Sequence, residues 1–185
     1  MVKLKVEAMK KDKILAIVFS IFLIGCFAST RSSKPPSEPD GFRSIKWETE
    51  ITTLKDMEKA EQDKSSKSDL VWYTRKGDIL AIGEAKLKNI YYSFWMGNFE
   101  SVWIDFEGDE NFEALKKELF ERFGEVPESV KDFYAWRGKE TDMSLSYSKD
   151  RHIGTLSINS RKVSEERGAY EKQKEKEERL KKGRF

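Results

Sequence analysis

The stretch from Ile90 to Phe106 constrains the fold of this chain more than any other. Ile90, Tyr92 and Phe94 share one face of an extended segment, Val102, Ile104 and Phe106 share one face of a second, and Gly97-Asn98 sits between them. Side chains along a strand alternate with period two, so this spacing predicts a β-hairpin with one apolar face. Gly-X in a two-residue connection suits a type II′ turn, because glycine takes positive φ without a Cβ clash.

A helix is expected directly afterwards. Phe112, Leu115, Leu119, Phe120 and Phe123 recur at helical spacing. Asp109 or Asn111 can cap the start, Glu110 and Glu113 favour its positive end, and Gly124 and Pro127 stop it. The inner face of the hairpin is the nearest surface for its apolar stripe to cover. Leu70 to Thr74 reads as a strand closed by the turn Arg75-Lys76-Gly77-Asp78, and Phe133 to Arg137, Asp142 to Ser148 and Thr155 to Ile158 read as three more. Thr52 to Lys59 is read as a short helix. Strand runs and helix runs are segregated, which predicts an α+β fold: an antiparallel sheet of about five to six short strands, an amphipathic helix on one face and a polar C-terminal helix.

Ahead of this domain, Lys10, Lys11 and Lys13 precede the eleven uncharged residues Ile14 to Ile24, matching the charged and apolar regions of a secretory signal. Even extended to Ala28 the run has only fifteen residues, short of the roughly 20 a spanning helix needs. Its end, Leu23-Ile24-Gly25-Cys26, resembles the lipobox of bacterial lipoproteins. That resemblance implies cleavage between Gly25 and Cys26 and acylation of the Cys26 thiol. Two or more acyl chains hold a protein stably at a bilayer where one binds only marginally. Met9 opens a compact version of the same signal, so translation from Met1 and from Met9 are both open. Phe27 is not the aspartate that resembles an inner-membrane retention signal, which favours the periplasmic face of an outer membrane if the cell has one.

Residues 1 to 25 hold five lysines and two acids, so their removal takes the formal charge from +2 to −1. A near-neutral chain offers no electrostatic case for nucleic acid, which needs a basic face or stripe. Phe27 to Asp40 is rich in Ser and Pro, a tether of at most about 50 Å when extended. The domain organisation expected is therefore a signal at 1–25, a lipidated Cys26 and tether at 26–40, one α+β domain at 41–163 and a charged helical tail at 164–185. In that tail Glu175 with Arg179, Glu177 with Lys181 and Glu178 with Lys182 are favourable i, i+4 pairs, each adding only about 0.2 to 0.5 kcal/mol.

Chemistry is sparse. His152, the single histidine, lies in the polar turn Lys149-Asp150-Arg151-His152, and neither a G-x-S-x-G elbow nor a phosphate loop occurs. Asp105 to Asn111 starts like a calcium loop, but the sixth position is Glu110 where glycine is needed and the twelfth is Lys116 where a carboxylate is needed. No catalytic, cofactor-binding or metal-ligating residue is assigned, and no cofactor is expected. Trp95 and Trp103 fall out of phase with the core residues of the hairpin and are expected together on its opposite face. There they are either covered as ordinary core or form an aromatic surface for a protein or glycan partner.

FRSIKW (Phe42 to Trp47), YTRKGD (Tyr73 to Asp78), I-x-Y-x-F-x-x-G-x-F-x-x-V (Ile90 to Val102), F-x-x-L-K-x-x-L-F-x-x-F-G (Phe112 to Gly124) and AYEKQK (Ala169 to Lys174) together resemble small lipoproteins of bacterial envelopes without an assigned activity. Similar sequences place glycine after the first tryptophan, where this chain has Glu48. The resemblance implies a single domain and a lipid anchor, and it transfers no catalytic residue. The function expected is a non-enzymatic, lipid-anchored envelope module with an envelope protein partner. A small-ligand or glycan-binding lipoprotein is the alternative, and a hydrolase comes third.

Overall fold

A computed structural model describes residues 38–61, 69–126 and 130–183 of the 185-residue chain. The signal, Gly25, Cys26 and most of the tether therefore lie outside the described residues. The fold is α+β. Its centre is an antiparallel sheet of seven strands in the order β3 (Met57–Lys59), β4 (Leu70–Arg75), β7 (Asn89–Trp95), β8 (Asn98–Glu107), β11 (Ile153–Ser160), β10 (Thr141–Ser148) and β9 (Phe133–Arg137). Two two-stranded ribbons flank it, β1 (Gly41–Phe42) with β2 (Ile45–Lys46) and β5 (Ala81–Ile82) with β6 (Ala85–Lys86). Helix α1 (Asp109–Phe123) and helix α2 (Arg161–Lys182) complete the described elements.

The hairpin expected from Ile90 to Phe106 is the middle of the sheet. Its turn differs from the expectation in one detail. Met96 and Gly97, at φ 47° and 85°, are the connecting residues, while Asn98 already pairs with Trp95. Two positive φ angles make the connection type I′ rather than II′, and that hand matches the right-handed twist of the flanking strands. A register shift follows: Ser93 pairs with Ser101 and Phe94 with Phe99, so Glu100 is an extra residue in β8. This bulge changes the parity of the strand and lets Phe99 join Val102, Ile104 and Phe106 in the core.

On the inner face α1 lays Phe112 parallel to Phe106 and Tyr147, at ring separations of 6.5 and 4.7 Å. Phe120 meets Trp136 edge-on, and the Trp136 indole donates to Gly124 O at the end of α1 (2.8 Å). The rest of that face is covered by the N-terminal segment, where Phe42 packs on Tyr92 and Trp47 on Phe99. The cap of α1 is Gly108 at φ 90°, with no side-chain hydrogen bond, in place of Asp109 or Asn111. Those two side chains are engaged elsewhere: Asn111 Nδ2 donates to Glu107 O (2.7 Å), and Asp109 accepts from Tyr147.

Two further expectations are corrected. Thr52 to Lys59 is not a helix but a 3₁₀ turn, Ile51–Thr53, followed by strand β3, because pairing of Met57 with Arg75 and Lys59 with Tyr73 extends the sheet. The sheet also has seven strands rather than five or six, the added edge being β3. Helix α2 starts at Arg161, capped by Ser160, whose hydroxyl accepts from Val163 N (3.4 Å). It lies against the sheet near the hairpin turn: Val163 is buried, Tyr170 meets Trp95 at 5.8 Å, and Arg167 Nε and Ser164 Oγ donate to Glu100 Oε1 at 2.8 and 3.1 Å. From Ala169 onward the side chains are exposed.

Candidate functional site

The outer face of the sheet holds the arrangement with most to offer a partner. Trp72 alternates with the inner residues Val71 and Tyr73 of β4, Tyr91 with Ile90 and Tyr92 of β7, and Trp103 with Val102 and Ile104 of β8. All three rings therefore emerge on the side opposite α1. Tyr91 and Trp103 are cross-strand partners, and Trp103 meets Trp72 edge to face at 6.5 Å and 89°. Asp105, two residues along the same face, accepts a hydrogen bond from Trp103 Nε1 (3.1 Å) and fixes the indole. These four residues line a shallow slot of about 270 Å³. Trp103 keeps 45 % of its surface exposed, since α2 covers only the other end of this face.

Of the two tryptophans singled out in the sequence, only Trp103 belongs to the slot. Trp95 shares its face but pairs with Asn98 beside the turn, while Trp103 pairs with Tyr91. Trp95 lies four positions beyond Tyr91, about 13 Å along a strand. Trp95 is half-buried against Tyr170, so the two do not form one patch. Trp72 and Tyr91 were missed as site residues. Trp72 lies on a strand that joins β7 only through tertiary pairing, and the alternation of Leu70 to Thr74 is too short to orient it alone. Around the slot the face is polar, with Ser144 Oγ against Ser157 Oγ at 2.8 Å and Ser93 Oγ against Ser101 Oγ at 2.6 Å.

The single histidine is part of a small cluster at the start of α1. His152, at φ 52°, places Nδ1 3.0 Å from Asp109 Oδ1, and the Tyr147 hydroxyl donates to the same oxygen. The Tyr147 and His152 contacts hold the Asp109 carboxyl below its ordinary range, and burial with Asp109 pushes the Tyr147 phenol up to about 12. His152 and Asp109 are both more than half exposed, and the bonds tie the β10–β11 turn to the helix start. Among the described residues no group of three or more His, Cys, Asp or Glu side chains could hold a metal ion.

A polar network joins the FRSIKW and YTRKGD segments. The buried Tyr92 hydroxyl donates to Asp78 Oδ2 (2.6 Å), Asp78 pairs with Arg43, and Arg43 Nη2 donates to Ala81 O (2.9 Å). Arg75 bonds Asp56 Oδ2 (2.5 Å) and Arg43 O (3.3 Å). Burial, then Asp78, raises the Tyr92 phenol pKa well above its usual value. FRSIKW and YTRKGD thus meet around Tyr92 and pin the N-terminal segment to the sheet. Beside them, a groove of about 380 Å³ has a floor of Leu119, Leu156 and Ile158. Its rim arginines already have partners, Arg43 with Asp78 and Arg122 with Glu118.

Among the described residues no helix is long and apolar enough to cross a membrane. No protein-family model, curated protein or solved structure matches the chain. The class that stands on fold and site together is an α+β domain with an open aromatic sheet face.

Proposed function

We propose that the protein is a lipid-anchored component of a bacterial cell envelope that acts by binding rather than by catalysis. Residues 1–25 direct export, Cys26 carries the lipid, and the chain sits at the periplasmic face of an outer membrane. The sequence around Cys26 supports the anchor. The observation that carries the binding role is Trp103, half-exposed beside Trp72 and Tyr91 on a sheet face that α2 leaves open. An exposed tryptophan stabilises a fold little, yet tryptophan is enriched where binding energy concentrates. A protein partner in the envelope is the leading reading. A small-ligand role is the second, favoured by the slot being concave and close to the lower end of ligand pockets, about 300 Å³.

Two experiments test this. Growth with an alkyne-bearing palmitate should label the wild-type chain and not Cys26→Ala, and equal labelling of the two would overturn the anchor. In cross-linked pull-downs from native envelopes, Trp103→Ala should lose partners that Trp95→Phe retains. Identical partner sets for all three chains would overturn the outer face as the contact surface.

A further inference from the structure

The slot has a composition that narrows what it can hold. Among the described residues its lining is three aromatic side chains and one carboxylate, Trp72, Tyr91, Trp103 and Asp105, and the Lys88 ammonium, which interacts with Asp105 and Tyr91 from outside the lining, is paired with Glu107. Aromatic faces carry negative electrostatic potential and attract cations placed within about 6 Å of the ring centroid. The two indoles stand at 89°, so they present a corner rather than a platform. A flat ligand, a sugar ring or a base, can stack on one wall of a corner only. A compact, nearly spherical cation touches both walls at once. We propose that this corner binds a free small quaternary ammonium compound of the choline type, with Asp105 as its counter-charge.

Three features of the site fit that class and disfavour its neighbours. A primary ammonium brings three N–H donors that need acceptors, and Asp105 is the single charged acceptor among the described residues of the lining. A quaternary ammonium brings none, so its desolvation in the corner leaves no donor unpaired. The slot's volume of about 270 Å³ lies below the usual range for drug-sized ligands, about 300 to 1,000 Å³, which suits a cation of a few heavy atoms. Finally, Asp105 is held in place, since its Oδ1 accepts from Trp103 Nε1 at 3.1 Å and its backbone carbonyl accepts from Lys88 N at 2.7 Å. That fixed carboxylate opposes anions and disfavours zwitterions such as betaine, whose own carboxylate would lie near it.

This inference rests on the reading of the outer face as the binding surface, and its test separates the two. The full chain in maltoside micelles is titrated with choline chloride, tetramethylammonium chloride, ethanolamine hydrochloride and sodium chloride at matched ionic strength, following tryptophan fluorescence. Saturable quenching is expected from choline and tetramethylammonium, with ethanolamine at least about tenfold weaker. Asp105→Asn, which keeps an acceptor for Trp103 Nε1, should weaken choline about tenfold with an unchanged melting temperature, and Trp103→Phe should weaken it several-fold. Trp95→Phe should leave the affinity unchanged. No choline response beyond the salt control in a natively folded chain overturns the proposal, as does equal binding of ethanolamine. An indole response to phosphatidylcholine vesicles, absent with phosphatidylglycerol vesicles and with free choline, would assign the cation to a lipid headgroup and overturn the free compound. If choline fails while envelope cross-links still depend on Trp103, the contact surface stands without the cation.

Discussion

At the scale of single residues, the backbone sets limits that side-chain chemistry does not reveal. Gly154 pairs with Phe106 in the centre of the sheet, and a Cβ there would lie 2.2 Å from the Phe106 ring and 2.7 Å from Ser146 O. The Phe106 ring is buried and lies parallel to the stacked pair Phe112 and Tyr147, at 6.5 and 6.0 Å, which leaves it little room to withdraw. Gly154→Ala should therefore destabilise the domain by about 1 to 3 kcal/mol, the usual cost of overpacking, read as a lower midpoint in urea unfolding at unchanged slope. Glu48 makes a related point. It adopts φ 66°, a left-handed conformation that favours glycine, and its side chain reaches Lys162 of α2 at 2.6 Å. The backbone holds this conformation with a non-glycine residue, whose side chain adds an ion pair to the C-terminal helix.

At the scale of elements, α2 is held through its first three turns, from Val163 to Tyr170. Glu100, the bulge residue, is 2 % exposed, and its Oε1 accepts from Arg167 and Ser164 while Oε2 has no partner among the described residues. Removing Arg167 would strand a buried carboxylate. Breaking a fully buried pair costs about 3 to 5 kcal/mol, and because Arg167 is 29 % exposed the cost of Arg167→Ala should be nearer 2 to 3 kcal/mol. Adding Glu100→Gln to that variant should recover part of the loss, and a double-mutant cycle in urea measures it. By contrast, truncation after Lys174 removes exposed residues and their surface pair Glu175–Arg179, and should shift stability by less than about 0.5 kcal/mol. How much of each element was legible follows from its length. Ile90 to Phe106 and Phe112 to Phe123 repeat their periods often enough to be assigned from spacing. The ribbons β1–β2 and β5–β6 have two residues per strand, and two residues have no period to read.

At the scale of the whole molecule, the chain is stapled by charged contacts between distant segments. The Glu38 carboxylate accepts from the backbone N–H groups of Lys139, Glu140 and Thr141, Asp56 accepts from Arg75, and Asp109 accepts from Tyr147 and His152. Glu38 is lowered first by the Lys139 N–H, Asp56 first by Arg75 and Asp109 first by Tyr147. A carboxyl whose folded pKa is depressed contributes stability above its unfolded value, about 4, and loses it as pH falls through the folded value. Tyr147 has the opposite sign. Raised to about 12, it contributes below its unfolded value near 10 and is lost as pH rises towards 12. The melting temperature should be flat from about pH 5 to 9 and fall outside that window on both sides. Asp109→Asn should make the acid limb shallower, and an unchanged limb would remove that carboxyl from the explanation.

The sequence by itself determined the class of fold, because the hairpin and the helix after it carry local periods, and periods need no partner to be read. It also singled out Trp103, whose phase in β8 opposes the core residues beside it. Only the tertiary structure decided what surrounds that ring. Trp72 comes from a strand 31 positions earlier, brought to Trp103 by pairing of β4 with β7 and β7 with β8. Trp95, in the same phase, was drawn instead to Tyr170 of α2. Phase tells which side of a sheet a residue faces, whereas what it meets there depends on strand order and helix docking, and those follow from contacts between segments far apart in the chain.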